Sequence, residues 1–516
     1  MSSPTSAPLP PIEGLALVGL TLALALAAFM QVLDSTIANV AIPTIAGNLA
    51  ASSSQGTWVI TSFGVANAIA LPLTGWLSKR LGEVRLFLWA TALFVLTSFL
   101  CGISSSLEML VVFRVAQGAA AGPLIPLSQS LLLANYPFSK AGMALSLWSM
   151  TVVVAPIFGP ILGGFISDNY SWGWIFFINV PLGAIVFFLC LKLLRGRETS
   201  RESSPVNYVG ISLLVIGVGA LQLMLDRGKE LDWFNSPEII ILGVVAVVGI
   251  SLLIAWEYTD KNPVIDISLF KSRNFTVGVV CVSCAMLTYF GTIVLIPLLL
   301  QAHMGYTATQ AGLAAAPIGI LPVILAPIIG KNAQRIDMRV LACFSLLVFA
   351  ACFYIRTSFS PQMDFLWVII PQFLQGLGLA CFFMPLTTIC FAGLRPDQFA
   401  AAASLSNFTR VLASSIGTSV TITLWERREA LHHTFLTEYI NPYNPLFQET
   451  LNRMLSLGFS ESQAGAFIAR EITTQGFFIA ANELFYYCAF LLVCLSSMVW
   501  LSKPQGTAPI DAAGAH

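Results

Sequence analysis

Apolar runs, each about as long as one bilayer crossing and separated by short polar connections, fill this sequence from residue 15 to residue 502. A helix that spans the hydrocarbon core needs roughly 20 predominantly apolar residues. Fourteen runs meet that measure, at 15–45, 56–78, 85–104, 108–134, 142–167, 174–194, 207–225, 239–258, 275–301, 308–330, 340–357, 365–391, 399–425 and 477–502. The first is longer than one crossing requires, so part of it projects beyond the lipid or tilts. One connection stands apart from the others. Residues 426–476 form a polar stretch far longer than the four to six residues typical of a link between helices. Within it Ser460-Glu461-Ser462-Gln463 reads as a capping box that opens a short helix. Leu451, Met454 and Leu455 mark an amphipathic piece before that helix.

Composition changes this picture only by making it firmer. Hydrophobic residues are 57% of the 516 and charged residues 10%, whereas a soluble domain carries roughly 25% charge. The chain must dissolve in lipid. Lys plus Arg equals Asp plus Glu at 25 each, so no basic face is offered to nucleic acid. Basic residues also set orientation, because they favour the cytoplasmic side. With the amino terminus inside, sixteen Lys and Arg fall in inner connections and seven in outer ones: Arg227, Lys229, Arg356, Arg427, Arg428, Arg453 and Arg470. Both termini are therefore expected in the cytoplasm. Met1 to Gly14 hold no Lys or Arg and so lack the basic region of a secretory leader. The ten cysteines are scattered through apolar runs, and Cys281 and Cys284 read as small hydrophobes rather than a metal or redox pair. His432-His433 is poor evidence for a metal, and no metal site is assigned.

The runs repeat. Pro72-x-x-Gly75 with Arg80 and Arg85 ends the second, and Pro327-x-x-Gly330 with Arg335 and Arg339 ends the tenth. The fourth carries Gln117-Gly118 and Pro126-Leu127, the twelfth Gln375-Gly376 and Pro385-Leu386. The fifth has Thr151, Ala155 and Gly159, the thirteenth Thr409, Ala413 and Gly417 at the same spacing. Three matches in one order imply two six-helix bundles, an amino-terminal one over 1–202 and a carboxyl-terminal one over 274–516. An inserted pair of helices then occupies 203–273. Two such halves, with the transport site between them near the midplane, are a recurring transporter architecture.

Three stretches carry a family resemblance. Leu33-Asp34-Ser35-Thr36-Ile37-Ala38-Asn39-Val40-Ala41-Ile42-Pro43 resembles the first-helix signature of the fourteen-helix drug:proton antiporters of the major facilitator superfamily. Ala155-Pro156-Ile157-Phe158-Gly159-Pro160-Ile161-Leu162-Gly163-Gly164 is similar to that superfamily's antiporter motif in helix five. Trp172-Gly173-Trp174-Ile175-Phe176-Phe177-Ile178-Asn179-Val180-Pro181 resembles the start of its sixth helix, with Gly173 where the family usually has arginine. The likeness runs nearly end to end. It implies an all-α integral membrane protein of the major-facilitator type with 14 transmembrane helices. Its implied work is proton-driven export of lipophilic drugs across a bacterial inner membrane, with no cofactor beyond the proton gradient. The implied partners are a periplasmic adaptor subunit, EmrA-like, and an outer-membrane channel, TolC-like. The loop after helix two departs from the family pattern. Gly75, Leu77, Arg80 and Gly82 fit, but Lys79 replaces an acid and Glu83 a base. Opposite charges at i and i+4 can pair on a helix, so Gly75, Lys79, Arg80 and Glu83 read as a sign-swapped cytoplasmic latch, or as a solvated basic loop.

Charges inside the runs are the functional candidates, because each costs about 2.5–3.5 kcal/mol at mid-bilayer. Counting about 1.5 Å per residue puts Asp34 and Arg114 at similar depths from the outer side, close enough for an ion pair. Burial and a neighbouring guanidinium pull a carboxyl's proton affinity in opposite directions, so relative movement switches the proton on or off. These two residues are assigned to proton coupling, the alternative being a static pair that joins two helices. Arg410 lies about 15 Å into its run, near the midplane. Asn407, Arg410, Ser414, Thr418 and Thr421 follow at steps of three and four, one polar stripe. It faces either a water-filled cavity or an interhelical seam. Gln31, Asn39, Gln117, Asn407, Arg410 and Ser414 are assigned to the substrate cavity. Glu483, near the outer end of the last run, reads as a side chain that reaches outward. Pro156, Gly159, Pro160, Gly163 and Gly164 form a kinked, close helix contact that seals against proton leak, with ordinary small-residue packing as the alternative.

Other classes fit less well. The chain has no Gly-x-x-x-x-Gly-Lys-Ser/Thr phosphate loop, so ATP-driven pumping needs a separate subunit. A membrane enzyme needs clustered His, Cys or Asp within its spans, and none of the four His lies in a run. A channel does not call for a two-half repeat. Proton-coupled uptake or export of a specific metabolite by the same fold is the runner-up. The outer stretch 426–476 reads as the dock for the adaptor.

Overall fold

The computed structural model describes residues 12–504 apart from 52, 137–140, 200, 202–205, 261, 262, 333, 334, 396, 397, 439 and 442. Among the described residues all regular structure is helical. Helices α1 (Gly14–Asn48), α2 (Ser53–Gly56), α3 (Trp58–Leu81), α4 (Glu83–Gly102), α5 (Leu107–Ala121), α6 (Leu124–Asn135), α7 (Ala141–Asn169), α8 (Trp174–Phe177) and α9 (Asn179–Leu193) come first. Then follow α10 (Tyr208–Arg227) and α11 (Pro237–Thr259). The remainder are α12 (Arg273–His303), α13 (Ala308–Ala315), α14 (Ile320–Lys331), α15 (Met338–Arg356), α16 (Phe365–Ala380), α17 (Phe383–Phe391), α18 (Phe399–Glu438), α19 (Pro445–Ser456) and α20 (Glu461–Met498). Breaks at Gly122-Pro123 and around Pro317 divide what are otherwise single apolar runs, as proline's missing N–H requires.

Among the described residues, twelve helical spans are long and apolar enough to cross a membrane. Two further long helices, α7 with 29 residues and α18 with 40, are not in that set. In α18 Asn407, Arg410 and a series of Ser and Thr dilute the apolar content. The chain runs back and forth between two ends. At one, which holds Lys503, the Asn274 amide donates to the Lys503 carbonyl, and Arg339 reaches Ser502. At the far end Trp58, Arg227, Lys229 and Glu426 meet.

Packing falls into two main apolar cores. One joins Phe87, Phe94, Leu124, Trp148 and Val186; the other joins Phe349, Phe353, Phe382, Phe478 and Phe485. A third, smaller cluster seats Leu214, Val218 and Leu253 of α10 and α11 against Ala68 of α3, Phe275 of α12 and Ala401–Ala403 of α18. In lipid the drive for such packing is close van der Waals contact, so small residues carry it. Gly118 presses on the Phe63 carbonyl of α3, and Gly376, 258 residues on, presses on the Ile318 carbonyl beside α14. Gly159 and Gly417, also 258 apart, do the same job: a Cβ on either would overlap the first helix of its half, at Thr36 or at the Leu287 carbonyl.

Three expectations change. The capping box at Ser460 forms, but it opens the 38-residue α20 rather than a short helix. Residues 461–476 are polar enough to read as loop, yet they continue helically from the span and pack on the extension of α18. The stretch 426–476 is thus a helical hairpin with α19 at its tip. Second, Arg356 is no loop residue, being 1% exposed inside the second core. Third, Gly82 at φ 90° breaks the helix between Lys79 and Glu83, which removes their i,i+4 geometry.

Candidate functional site

Asp34 sits on α1 with no solvent exposure, and four other helices supply its surroundings. Its Oδ2 accepts from Arg114 Nη1 of α5 at 2.6 Å. Its Oδ1 accepts from Gln117 Nε2 at 3.0 Å and from Asn179 Nδ2 of α9 at 2.7 Å. Arg114 donates its Nε to the Val59 carbonyl of α3 at 2.9 Å and a second Nη1 bond to Gln117 at 2.9 Å. Its guanidinium lies over the rings of Phe63 at 4.1 Å and Phe176 at 5.5 Å. Asn179 also donates to Ser98 Oγ of α4 at 3.1 Å. A buried pair of this kind persists only where further hydrogen bonds satisfy both ions. Here they do, save that Arg114 Nη2 has no partner among the described residues. Charge in the cluster balances only while Asp34 is ionised. Removing that charge would leave a buried guanidinium uncompensated.

The glycine motif touches this cluster. Gly159 of α7 packs on Thr36, and a Cβ on Gly163 would come within 2.6 Å of the Ile37 carbonyl. Both contacts lie two to three residues beyond Asp34 on α1. Substituting either glycine with a larger residue therefore pushes on the turn that carries the carboxylate. Of the remaining assigned positions, Gln117 belongs to the Asp34 cluster rather than to a cavity. The side chains of Asn39 and Pro160 lie outside the described residues.

Closer to the middle, polar groups pair within the first core and between the two. Gln31 donates to Asn67 at 3.3 Å. Asn407 of α18 donates to Gln129 of α6 at 3.2 Å, across the two cores. Arg410 lies over the Phe383 ring at 5.7 Å and forms no ion pair among the described residues. Ser414 and Thr418 satisfy their hydroxyls on carbonyls one turn back. The stripe on α18 is thus a seam at Asn407 and Thr421, which are buried, and is half-exposed at Arg410 and Ser414.

A family model described as Major Facilitator Superfamily matches residues 24–418. The chain belongs to this superfamily. It is 62% identical over 507 residues to the multidrug export protein EmrB of Escherichia coli (strain K12), covering 98% of this chain and 99% of that one. It is 62% identical over 496 residues to the EmrB of Haemophilus influenzae, covering 96% and 97%. The fatty acid resistance protein FarB of Neisseria gonorrhoeae is 57% identical over 495 residues, covering 96% and 98%. Among solved structures, a double-tryptophan mutant of XylE superposes with a TM-score of 0.58 at 13% identity, over 94% of this chain and 99% of that one. That likeness shows the fold. The chain is a multi-pass membrane transporter of the superfamily, not an enzyme.

The superfamily's loop after its second helix takes an unexpected form here. Glu83 turns inward and accepts from Ser130 Oγ at 2.8 Å, away from Lys79. Glu198, from the segment after α9, caps α4 by accepting from the backbone N–H groups of Val84 and Arg85, both at 3.0 Å. Arg80 lies over the Trp76 ring at 5.5 Å. Gly75 meets α18 directly: a Cβ there would lie 2.9 Å from Ala401 Cα. In the corresponding loop of the other half, hydrogen bonds from Arg339 hold the Asp337 carboxyl below the usual carboxylate range.

Sequence reasoning missed two residues. Asn179 was visible only as part of the helix-six motif, because a neutral amide raises no alarm in an apolar run. Arg356 closes the run of α15, which made it look like a loop residue. Its Nη2 donates to Gln372 at 2.9 Å and Gln375 at 2.5 Å, while Nε and Nη1 find no acceptor among the described residues. Gln372 and Gln375 occupy the places in the repeat that Arg114 and Gln117 hold in the first half. The second half thus keeps an arginine without its acid.

Proposed function

We propose that this chain is a proton-driven antiporter that exports lipophilic compounds, drugs among them, from the cytoplasm or inner membrane of a bacterium. The Asp34–Arg114 pair, buried among five helices and two to three residues along α1 from the contacts of the α7 glycines, carries the reading. Asp34 is the proton site and Arg114 its counter-charge; Gln117 and Asn179 orient the carboxylate. Gln31, Asn407, Arg410 and Ser414 meet the substrate between the halves. The names of the relatives, multidrug export and fatty acid resistance, favour lipophilic cargo. Counting α7 and α18 with the twelve apolar helices gives fourteen crossings, with both termini in the cytoplasm and the far end in the periplasm. The division is then 1–202, an inserted pair over 203–273, and 274–516.

The hairpin of α18, α19 and α20 serves as the dock for an EmrA-like adaptor that passes cargo to a TolC-like channel. At about 1.5 Å per residue, the 40 residues of α18 span about 60 Å, twice the roughly 30 Å hydrocarbon core. Arg428 braces the protruding part by a two-pronged bond to Glu483 at 2.7 and 2.8 Å. The tip exposes Tyr443, Leu446 and Leu457, an apolar patch suited to a protein partner. The deciding experiment is proton release on substrate addition in vesicles containing the purified chain. Release by the wild type and none by Asp34→Asn is expected; equal release by both would remove the antiport reading.

A further inference from the structure

The internal repeat makes two seams where the halves meet, α3 with α18 and α7 with α14, and the two are not closed alike. Each begins with the same contact: Gly75 on Ala401 in one, Gly330 on Met143 in the other. Ser404 and Ser146 stand at corresponding positions three residues further along. In the first seam Ser404 Oγ donates to the Leu71 carbonyl at 2.5 Å. In the second, Ser146 is only 2% exposed, yet its Oγ has no hydrogen-bond partner among the described residues. In place of the bond there is a narrow crevice of about 10 Å³, lined by Ser146, Ser149, Met150, Ala326, Leu379 and Met384. Ala326 holds the place that Leu71 holds in the sealed seam.

The inserted pair accounts for the other half of the asymmetry. It lies over the α3–α18 seam, where Leu214 and Val218 pack with Ala68 and Ala401–Ala403. Toward the far end it bonds along one stripe of α18. Gln222 donates to Ser415 at 3.2 Å, Ser419 to the Leu225 carbonyl at 2.7 Å, and Trp233 to Thr423 at 2.8 Å. Lys229 pairs with Glu426 at 2.8 Å. On the α3 side Arg227 covers the Trp58 ring at 5.4 Å. Near the α7–α14 seam, by contrast, Ile324 and Ile328 of α14 are more than half exposed, as residues against acyl chains would be.

From this asymmetry we propose that the α7–α14 seam is the lateral door through which apolar molecules pass from the bilayer to the space between the halves, while the inserted pair keeps the α3–α18 seam shut. This rests on the export reading and adds its route. The ligand class is a lipophilic molecule with hydrogen-bonding groups, one of which the Ser146 hydroxyl receives. The flexible thioethers of Met150 and Met384 adapt to varied shapes. Phe383, which carries Arg410 over its ring, is next to Met384 in the chain, so the crevice adjoins the central polar groups.

The test uses 11-dansylaminoundecanoic acid, a lipophilic fluorescent probe dissolved in the vesicle membrane. With p-benzoylphenylalanine at position 150, ultraviolet light should attach the probe to the chain; at 408, the corresponding position in the sealed seam, attachment should be at least fivefold weaker. Ala326→Trp, which wedges a bulky ring into this seam, should lower probe export at least tenfold, with Ser404→Ala within twofold of wild type. Equal or reversed labelling, no labelling at either position, or full export by Ala326→Trp at normal abundance would each overturn the door. Labelling is independent of the proton measurement. Labelling at 150 without proton release would therefore remove the antiport reading and leave the door standing.

Discussion

Neutralising Asp34 should be costly in a way that a second substitution partly reverses. Asp34 accepts three hydrogen bonds, at 2.6, 3.0 and 2.7 Å, and neither it nor Arg114 has any solvent exposure. Asn in its place supplies one acceptor oxygen to three donors and turns an N–H group toward them. It also leaves the Arg114 guanidinium buried without a counter-charge, and breaking such a pair costs about 3–5 kcal/mol. Asp34→Asn should thus remain inserted and folded but lose about that much stability, and its substrate-induced proton release should vanish. Adding Arg114→Gln restores neutrality. Much of the cost of a broken buried pair is the charge left uncompensated, so the double variant should be more stable than Asp34→Asn alone. Proton release should stay absent, because nothing titratable replaces Asp34. Unfolding of the purified variants in mixed micelles gives the stabilities, and a pH dye in vesicles gives the release. The reasoning fails if Asp34→Asn is within about 1 kcal/mol of wild type, below the cost of breaking a buried pair. It fails equally if the double variant is less stable than either single one.

Other consequences are as open to measurement. Gly163→Leu should abolish proton-coupled export while leaving expression intact, since any side chain there meets the Ile37 carbonyl; retained coupling in the vesicle assay would make the contact incidental. Arg410→Ala should lower transport at least tenfold, and Arg410→Lys should restore it only in part because lysine lacks the planar donor fork; normal rates in the alanine variant would show the charge to be merely tolerated. Arg356→Gln should be more stable than wild type in mixed-micelle unfolding, because it removes a buried cation with two unsatisfied donors; strong destabilisation would point to an acceptor that meets those donors. Replacing 439–460 with a short flexible linker should spare transport in proteoliposomes but abolish co-purification with the adaptor; adaptor recovered at full yield would move the dock elsewhere.

Much of this could be read from the chain because the bilayer imposes simple accounting. Apolar length gives the twelve spans found among the described residues, and the rise per residue sets Asp34 level with Arg114, which the structure places 2.6 Å apart. Repeated glycines marked equivalent contacts before either was seen, since only glycine lets two backbones meet at Thr36 or Leu287. What stayed hidden depends on direction rather than composition. Nothing local says that Arg356 folds back into its bundle instead of reaching outward, or that Glu83 faces Ser130 once Gly82 has turned the chain. The extension of α20 escaped because residues 461–476 are polar on most sides, and their helix is upheld by a neighbour, α18, not by their own pattern.

That neighbour is one unbroken rod. At one end of α18, Ala401 bears on Gly75 across the boundary between the halves; at the other, its last turns stand clear of the bundle. A rigid lever magnifies angle into travel. Over about 60 Å of helix, a tilt of about ten degrees at the Gly75 fulcrum swings the exposed end through about 10 Å. Whatever protein grips that end is therefore told, mechanically, which way the transporter faces, and by holding the end still it can also delay the turn.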